Sequence, residues 1–228
     1  GMFAAAFLAD ADLDTFSRRD FGLSVAETEQ LDCHIQLMLT VAKEAMLEAG
    51  IAPESETVGL FSAAAVEDFL VPTPEFWVPM ILARTLRLTG PCEHSSTACT
   101  SSHVAIHRAM QSIRNGDCDA AVVVAACLLL RPESSIATHQ SGILSARGVS
   151  SPFDEAGDGL VRGEGCAAIV LRRCDSVEQE RACHAVIRGS AYTRNPLHHK
   201  VNFMAPDVGA MKDAIRSALK DASVSEQS

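Results

Sequence analysis

The 228-residue chain carries a formal charge of −10, with 21% charged and 47% hydrophobic residues. That balance is the composition of an ordinary packed globular protein; it excludes a disordered or fibrous chain and argues against a nucleic-acid partner, which needs clustered Lys and Arg. The longest apolar run, Ala120–Leu130, is eleven residues, about half of the roughly 20 a membrane-spanning helix needs. Met2–Ala9 is apolar but has no basic residues before it, so a secretory signal is not expected; Gly1 reads as a residue left by tag removal. The eight cysteines, at 33, 92, 99, 118, 127, 166, 174 and 183, show no paired spacing, which points to free thiols in a reducing, cytoplasmic setting.

Helical and extended patterns alternate along the chain without an internal repeat, which predicts one compact α/β unit over residues 2–222 followed by a polar tail, 223–228. The first clear helix runs over 29–49, where Leu31, Ile35, Leu39, Ala42, Met46 and Ala49 recur at three- and four-residue spacing and Gly50 supplies the stop. A short strand over 57–62 follows. Residues 74–88 read as a helix that Pro79 should kink or interrupt, ended by Gly90-Pro91. A strand over 93–98 then runs into a helix over 100–114, with Val104, Ala105, Ala109 and Ile113 as its inward stripe and Asn115-Gly116 closing it. Residues 119–127 are continuously apolar after Asp119 and β-branched at their centre, the pattern of a strand covered on both faces, so the sheet is expected to be largely parallel. Further strands are predicted over 166–172 and 185–192. An amphipathic helix follows over 207–220, with Met211, Ala214, Ile215 and Ala218 facing in.

The junction of predicted strand and helix falls at Cys99, within Ser96-Thr97-Ala98-Cys99-Thr100-Ser101-Ser102. The unpaired N–H groups and positive dipole end of a helix favour an anion, so a thiol there is expected to be partly ionised and nucleophilic. The small residues beside it allow a sharp turn, and the first-turn N–H groups are placed to hold an oxyanion. Acyl transfer is the chemistry this suits. Spacing alone leaves the bland alternative open, because free cysteines are among the most buried residue types.

Together with Gly90-Pro91, that heptapeptide resembles the active-site signature of the β-ketoacyl synthases, in which a Thr-Ala-Cys-Ser-Ser-Ser core carries the acylated cysteine. Asp20-Phe21-Gly22-Leu23-Ser24 and Leu31-Asp32-Cys33-His34-Ile35-Gln36 resemble the family's Phe-Phe-Gly-Ile-Ser and Leu-Asp-Pro-Gln-Gln-Arg blocks. Asn115-Gly116-Asp117-Cys118-Asp119 and the run from Ser150-Ser151-Pro152-Phe153-Asp154 to Val161-Arg162-Gly163-Glu164-Gly165 follow in the family's order. The resemblance covers roughly residues 13–222 and is nearest to modular polyketide and type I fatty-acid synthases. It implies a thiolase-like fold, of which this chain is the N-terminal half, with Cys99 as nucleophile and Thr100 and Phe153 as walls of an acyl pocket. It implies no metal and no cofactor beyond the phosphopantetheine or coenzyme A that carries the acyl group. Its implied partners are an acyl carrier protein and either a second copy of the chain or a complementary C-terminal half.

Departures accompany the matches. The family has an acidic residue where Ser96 stands and a proline at Cys33. Its opening strand and its two downstream histidine motifs have no counterpart here, so this chain by itself is expected to be incomplete for decarboxylative condensation. A ketosynthase-like scaffold that keeps Cys99 incidentally is the alternative. His94, His103 and His107 lie close to Cys99 in sequence, but the two helical ones point along the helix away from its start, and the pair lacks the Glu of an H-E-x-x-H zinc motif; no role is assigned to them or to His198-His199. Gly157, Gly159, Gly163 and Gly165 do not have phosphate-loop spacing, and with Glu164 they resemble a tight turn near the active-site floor.

Overall fold

The computed structural model describes residues 5–64, 68–71, 73–194 and 207–225. The chain divides into two compact units, Gly1–Arg172 and Arg173–Ser228, where the alternation of elements along the sequence reads as one. No helix among the described residues is long and apolar enough to cross a membrane.

The first unit opens with β1 (Ala5–Ala6), α1 (Asp10–Leu13), a 3-10 turn (Arg18–Phe21) and α2 (Val25–Glu29). The long helix α3 spans Cys33–Glu48, four residues shorter at its start than its apolar spacing suggests, because Asp32 caps it by accepting from the His34 amide at 3.0 Å. Next come β2 (Val58–Ala64), α4 (Trp77–Thr85), β3 (Cys92–Ser95), a 3-10 turn (Ala98–Thr100), α5 (Ser101–Asn115) and β4 (Ala120–Cys127). α6 (Pro132–Gln140), which the sequence pattern does not signal, β5 (Arg162–Gly163) and β6 (Gly165–Arg172) complete it. Pro79 does not interrupt α4. It is the third residue of the helix, where the missing N–H belongs to the first turn and has no carbonyl partner in any case.

The main sheet has the order β3-β2-β4-β6. β2 runs parallel to both β3 and β4, with Leu60 opposite Cys92 and Val122, while β6 runs antiparallel to β4, with Ala126 opposite Cys166. A separate parallel pair joins β1 to β5. Alternation along the central strands divides the core into two layers. Val58, Leu60, Val122 and Val124 pack under Ile35, Leu39 and Leu82 of α3 and α4. Phe61, Ala63, Ala121 and Val123 pack under Ala105, Ala109 and Ile113 of α5. Every residue of β4 from Ala120 to Val124 is at most 3% exposed, which accounts for its unbroken run of alanine and valine.

The chain between α4 and β3 presses directly on β2. Gly90 N donates to Val58 O at 2.9 Å, and a Cβ on Gly90 would lie 2.6 Å from the Val58 carbonyl carbon. Backbone cannot yield as a flexible side chain does, so Gly90→Ala is expected to lower the unfolding free energy by about 1–3 kcal/mol, measured by urea denaturation.

In the second unit, α7 (Val177–Ala182) and α8 (Val208–Asp221) are the helices among the described residues. The strand expected over 185–192 does not form. That segment is instead tied to α8 by separate hydrogen bonds, Ser190 N to Asp221 Oδ2 at 2.8 Å and, just beyond it, Thr193 Oγ1 to Ala210 O at 3.0 Å. An apolar, β-branched segment becomes a strand only where a partner strand meets it. The stripe expected to face inward on α8 is also displaced. Met211 and Ile215 are exposed, while Ala210 is buried, and the backbone at Gly189 comes so close that a Cβ there would sit 2.4 Å from Ala222 N. Ala214, Ala218 and Leu219 are half-buried on the same helix.

Candidate active site

β3 ends at Ser95, and the chain makes a tight 3-10 turn over Ala98–Thr100 before entering α5. Cys99 is the middle residue of that turn and is exposed. The residue before it is strained: Ala98 takes the left-handed φ of 52°, a conformation that costs an L-residue about 1–2 kcal/mol. Ser101, 2% exposed, holds the turn in that state. Its Oγ donates to Ala98 O at 2.6 Å and accepts from Thr97 N at 2.9 Å. The strain at Ala98 is a local feature of the site that the sequence does not signal, since alanine is unremarkable by composition.

Cys99 opens into a cavity of about 290 Å³ at the C-terminal ends of β2 and β4. Its walls are Ala63 of β2, Ala98, Cys99, Ser101 and Ser102 of the turn and α5, Ala125–Cys127 of β4, and Gly165–Ala167 of β6. Small side chains from four separate segments thus leave room beside the sulfur. Neither residue expected to wall an acyl pocket belongs to these walls. Phe153 is fully exposed in a turn with φ of 63°, and the Thr100 hydroxyl turns back to Thr97 O at 2.8 Å. The reason is the same for both: each sits in a turn whose local hydrogen bonds and backbone direct the side chain outward.

Three cysteines line the cavity, and two of their thiols are shielded. Burial pushes the Cys166 thiol up to about 12. Burial also raises Cys127; the Arg162 guanidinium opposes this and the Glu164, Asp68 and Cys99 groups add to it. No described histidine is among the walls. His94 lies on the opposite face of the sheet, its Nδ1 2.8 Å from Ser62 Oγ, and burial pushes it below the usual histidine range. His103 is exposed on α5. His198 and His199 lie outside the described residues. Ser96, where the resemblance expects an acidic group, donates to the Glu75 carboxylate at 2.9 Å, so a carboxylate reaches this position from the chain just ahead of α4.

Two carboxylates fix the cavity's surroundings. Glu164 accepts from Leu129 N at 2.8 Å and from Leu8 N at 2.9 Å, locking the turn before β6 to the chain leaving β4 and to the chain leaving β1. Asp32, 1% exposed, accepts from His34 Nδ1 at 2.9 Å and from Val71 N at 2.8 Å, and His34 Nε2 accepts from Leu128 N at 3.2 Å. The relay therefore runs from the cap of α3 to the residue after Cys127. Sequence reading registers Asp32 and His34 only as part of a family block, because their partner Leu128 is 94 residues from His34. Asp32, Cys33 and His34 bring candidate ligand atoms within 4.8 Å of one another, but those atoms are engaged: Cys33 Sγ donates to Asp32 Oδ1 at 3.6 Å and both histidine nitrogens are bonded. The cluster is a structural latch.

Comparison with known proteins identifies the family. Residues 4–176 match the family described as Beta-ketoacyl synthase, N-terminal domain. The chain belongs to that family. It is 34% identical to the polyketide synthase ThaG of Burkholderia thailandensis over 93% of its own length and 4% of that protein. It is 36% identical to a phenolphthiocerol/phthiocerol polyketide synthase of Mycobacterium tuberculosis over 96% of its length and 13% of the relative. Among solved structures, the ketosynthase from module 6 of the bacillaene synthase of Bacillus subtilis 168 superimposes with a TM-score of 0.81 at 26% identity, covering 93% of this chain and 39% of that one. An oxazolomycin ketosynthase domain from Streptomyces albus JA3453 superimposes at 0.84 with 23% identity, covering 97% of this chain and 42% of that one, which speaks for the shared thiolase-like fold. The chain thus spans a small fraction of these curated relatives and about two fifths of these solved ketosynthases.

Proposed function

We propose that this domain performs the acyl-loading step of a polyketide-type β-ketoacyl synthase, with Cys99 as the acyl acceptor. The observation that carries the reading is an exposed thiol on a strained turn, at the start of α5 and open to a cavity walled by small residues. In this step the Cys99 sulfur attacks the carbonyl carbon of an acyl thioester borne on the phosphopantetheine of an acyl carrier protein or on coenzyme A. A carbon–sulfur bond forms to Cys99 and the one to the carrier breaks, and the proton lost from Cys99 ends on the departing carrier thiol. The N–H groups at the start of α5 face the charge that develops on the carbonyl oxygen. The acyl group on Cys99 is then condensed with a malonyl-derived carbanion in the complete synthase, which works as an assembly of two such subunits.

The test is alkylation by a chloroacetyl probe, followed by mass spectrometry, together with acyl transfer from a short acyl thioester of N-acetylcysteamine. The expected result is rapid labelling confined to the peptide bearing Cys99, an acyl mass increment on the same peptide, and loss of both in Cys99→Ala. Slow labelling spread over Cys92, Cys174 and Cys183, the other exposed thiols, would reduce the domain to a scaffold.

A further inference from the structure

Of the two other cysteines that line the cavity, one directs its side chain to the same side of the sheet as Cys99. Along β4, Val122, Val124 and Ala126 belong to the layer under α3 and α4, while Ala121, Val123 and Ala125 belong to the layer under α5. Alternation continues this pattern one residue further and puts Cys127 on the α5 side, the side on which Cys99 stands in the 3-10 turn that leads into α5. Cys166 is in register with Ala126 and packs into the opposite layer, so it is not the thiol that Cys99 faces. The Cys99 group is near enough to Cys127 to contribute to its electrostatic environment, and both line the same void.

Their accessibilities differ in a way that assigns an order of events. Cys99 is exposed and Cys127 is half-buried, so a small oxidant reaches Cys99 first, while Cys127 waits as a protonated thiol behind it. We propose that Cys127 is a resolving thiol for Cys99, and that a peroxide-class oxidant converts the pair into an intramolecular Cys99–Cys127 disulfide that a dithiol reopens.

The atoms balance with hydrogen peroxide as the only oxidant. The Cys99 thiolate attacks one peroxide oxygen, the O–O bond breaks, hydroxide leaves and takes a proton to become water, and Cys99 becomes a sulfenic acid. The Cys127 sulfur then attacks the Cys99 sulfur. The S–S bond forms, the S–O bond breaks, and the departing hydroxide combines with the Cys127 proton as a second water. Two thiols are oxidised and one peroxide is reduced to two waters. The disulfide takes Cys99 out of use reversibly and shields it from irreversible oxidation to the sulfinic acid. The inference does not rest on acyl transfer, since its readout is a cross-link.

The experiment treats the reduced full chain with a small excess of hydrogen peroxide, blocks remaining thiols, and digests it with trypsin without reduction. Fragment-ion sequencing is needed because the expected tryptic pieces, 88–108 and 115–147, each carry a second cysteine, Cys92 and Cys118; Pro132 protects the bond after Arg131. The expected result is a Cys99–Cys127 link within a monomer, with Cys99 alkylation lost on oxidation and recovered with dithiothreitol. In Cys127→Ser, and in Cys127→Ala as a second variant checked by thermal melting, Cys99 is expected to accumulate sulfinic acid that dithiothreitol does not reverse. A link from Cys99 to Cys118 or Cys166, disulfide-bonded dimers as the main product, or equal sulfinic acid at Cys99 in the wild type and both variants would each overturn the proposal.

Discussion

Replacing Asp32 by alanine is expected to lower the unfolding free energy by about 3–5 kcal/mol, the combined cost of leaving several buried donors without an acceptor. Four donors lose their acceptor together: His34 Nδ1, the His34 amide, the Val71 amide and the Cys33 thiol. Water does not readily replace it at a residue 1% exposed. Asp32→Asn, which keeps an acceptor oxygen, should fall between wild type and alanine. The effect carries a pH signature. Burial pushes the Asp32 carboxyl up, but the hydrogen bonds from His34 and Val71 outweigh it and hold the group below its ordinary value of 3.8. A carboxyl with a depressed folded value contributes stability that is fully present above the unfolded value and is lost as pH falls through the folded one. Urea melts of wild type and Asp32→Asn between pH 7 and pH 2 should therefore show a constant difference above about pH 4–5 that shrinks below it.

Ser101→Ala should cut the rate of Cys99 alkylation by about 10–100-fold, the penalty expected when a reacting atom is displaced by about an ångström. Ser101 Oγ ties the two ends of the turn together, bonded to Ala98 O and to Thr97 N. Without it, Ala98 is free to leave its left-handed conformation and carry the Cys99 sulfur away from the cavity. Buried groups left unpaired would also lower stability by about 1–3 kcal/mol. Ser101→Thr, which retains the hydroxyl, separates the two effects: it should recover most of the alkylation rate. A Ser101→Ala protein that is destabilised yet labels at the wild-type rate would show that the hydroxyl does not position the thiol.

What is legible in the sequence is local and periodic. The place of Cys99 between a strand and a helix, the doubly covered strand β4 and the inward stripe of α5 all follow from residues within a few positions of one another, and each stands in the structure with its ends shifted by a few residues. The misreadings share a different property. Residues 185–192 have the composition of a strand, but a strand is decided by its neighbour, and the neighbour there is α8. The identity of Pro79 predicts a kink, whereas its effect depends on where the helix starts. The Asp32–His34–Leu128 relay and the approach of Cys127 to Cys99 arise from segments brought together only by the sheet, and no spacing rule reports them.

The cavity draws its walls from β2, the turn before α5, β4 and β6, and the pairing that assembles them is distant in sequence: Val58 meets Ala120, and Ala120 meets Arg172. Each such closure must be made before its contacts repay the chain entropy lost, so folding should be limited by long-range pairing and not by formation of helices such as α3. β6, the last of the four sheet strands to be synthesised, completes the void beside Cys99 only when it docks on β4. A nascent or partly folded chain therefore holds a helix and a thiol but no pocket. The reactivity pattern of Cys99 matures with that strand, which makes it a natural clock for the closing of the sheet.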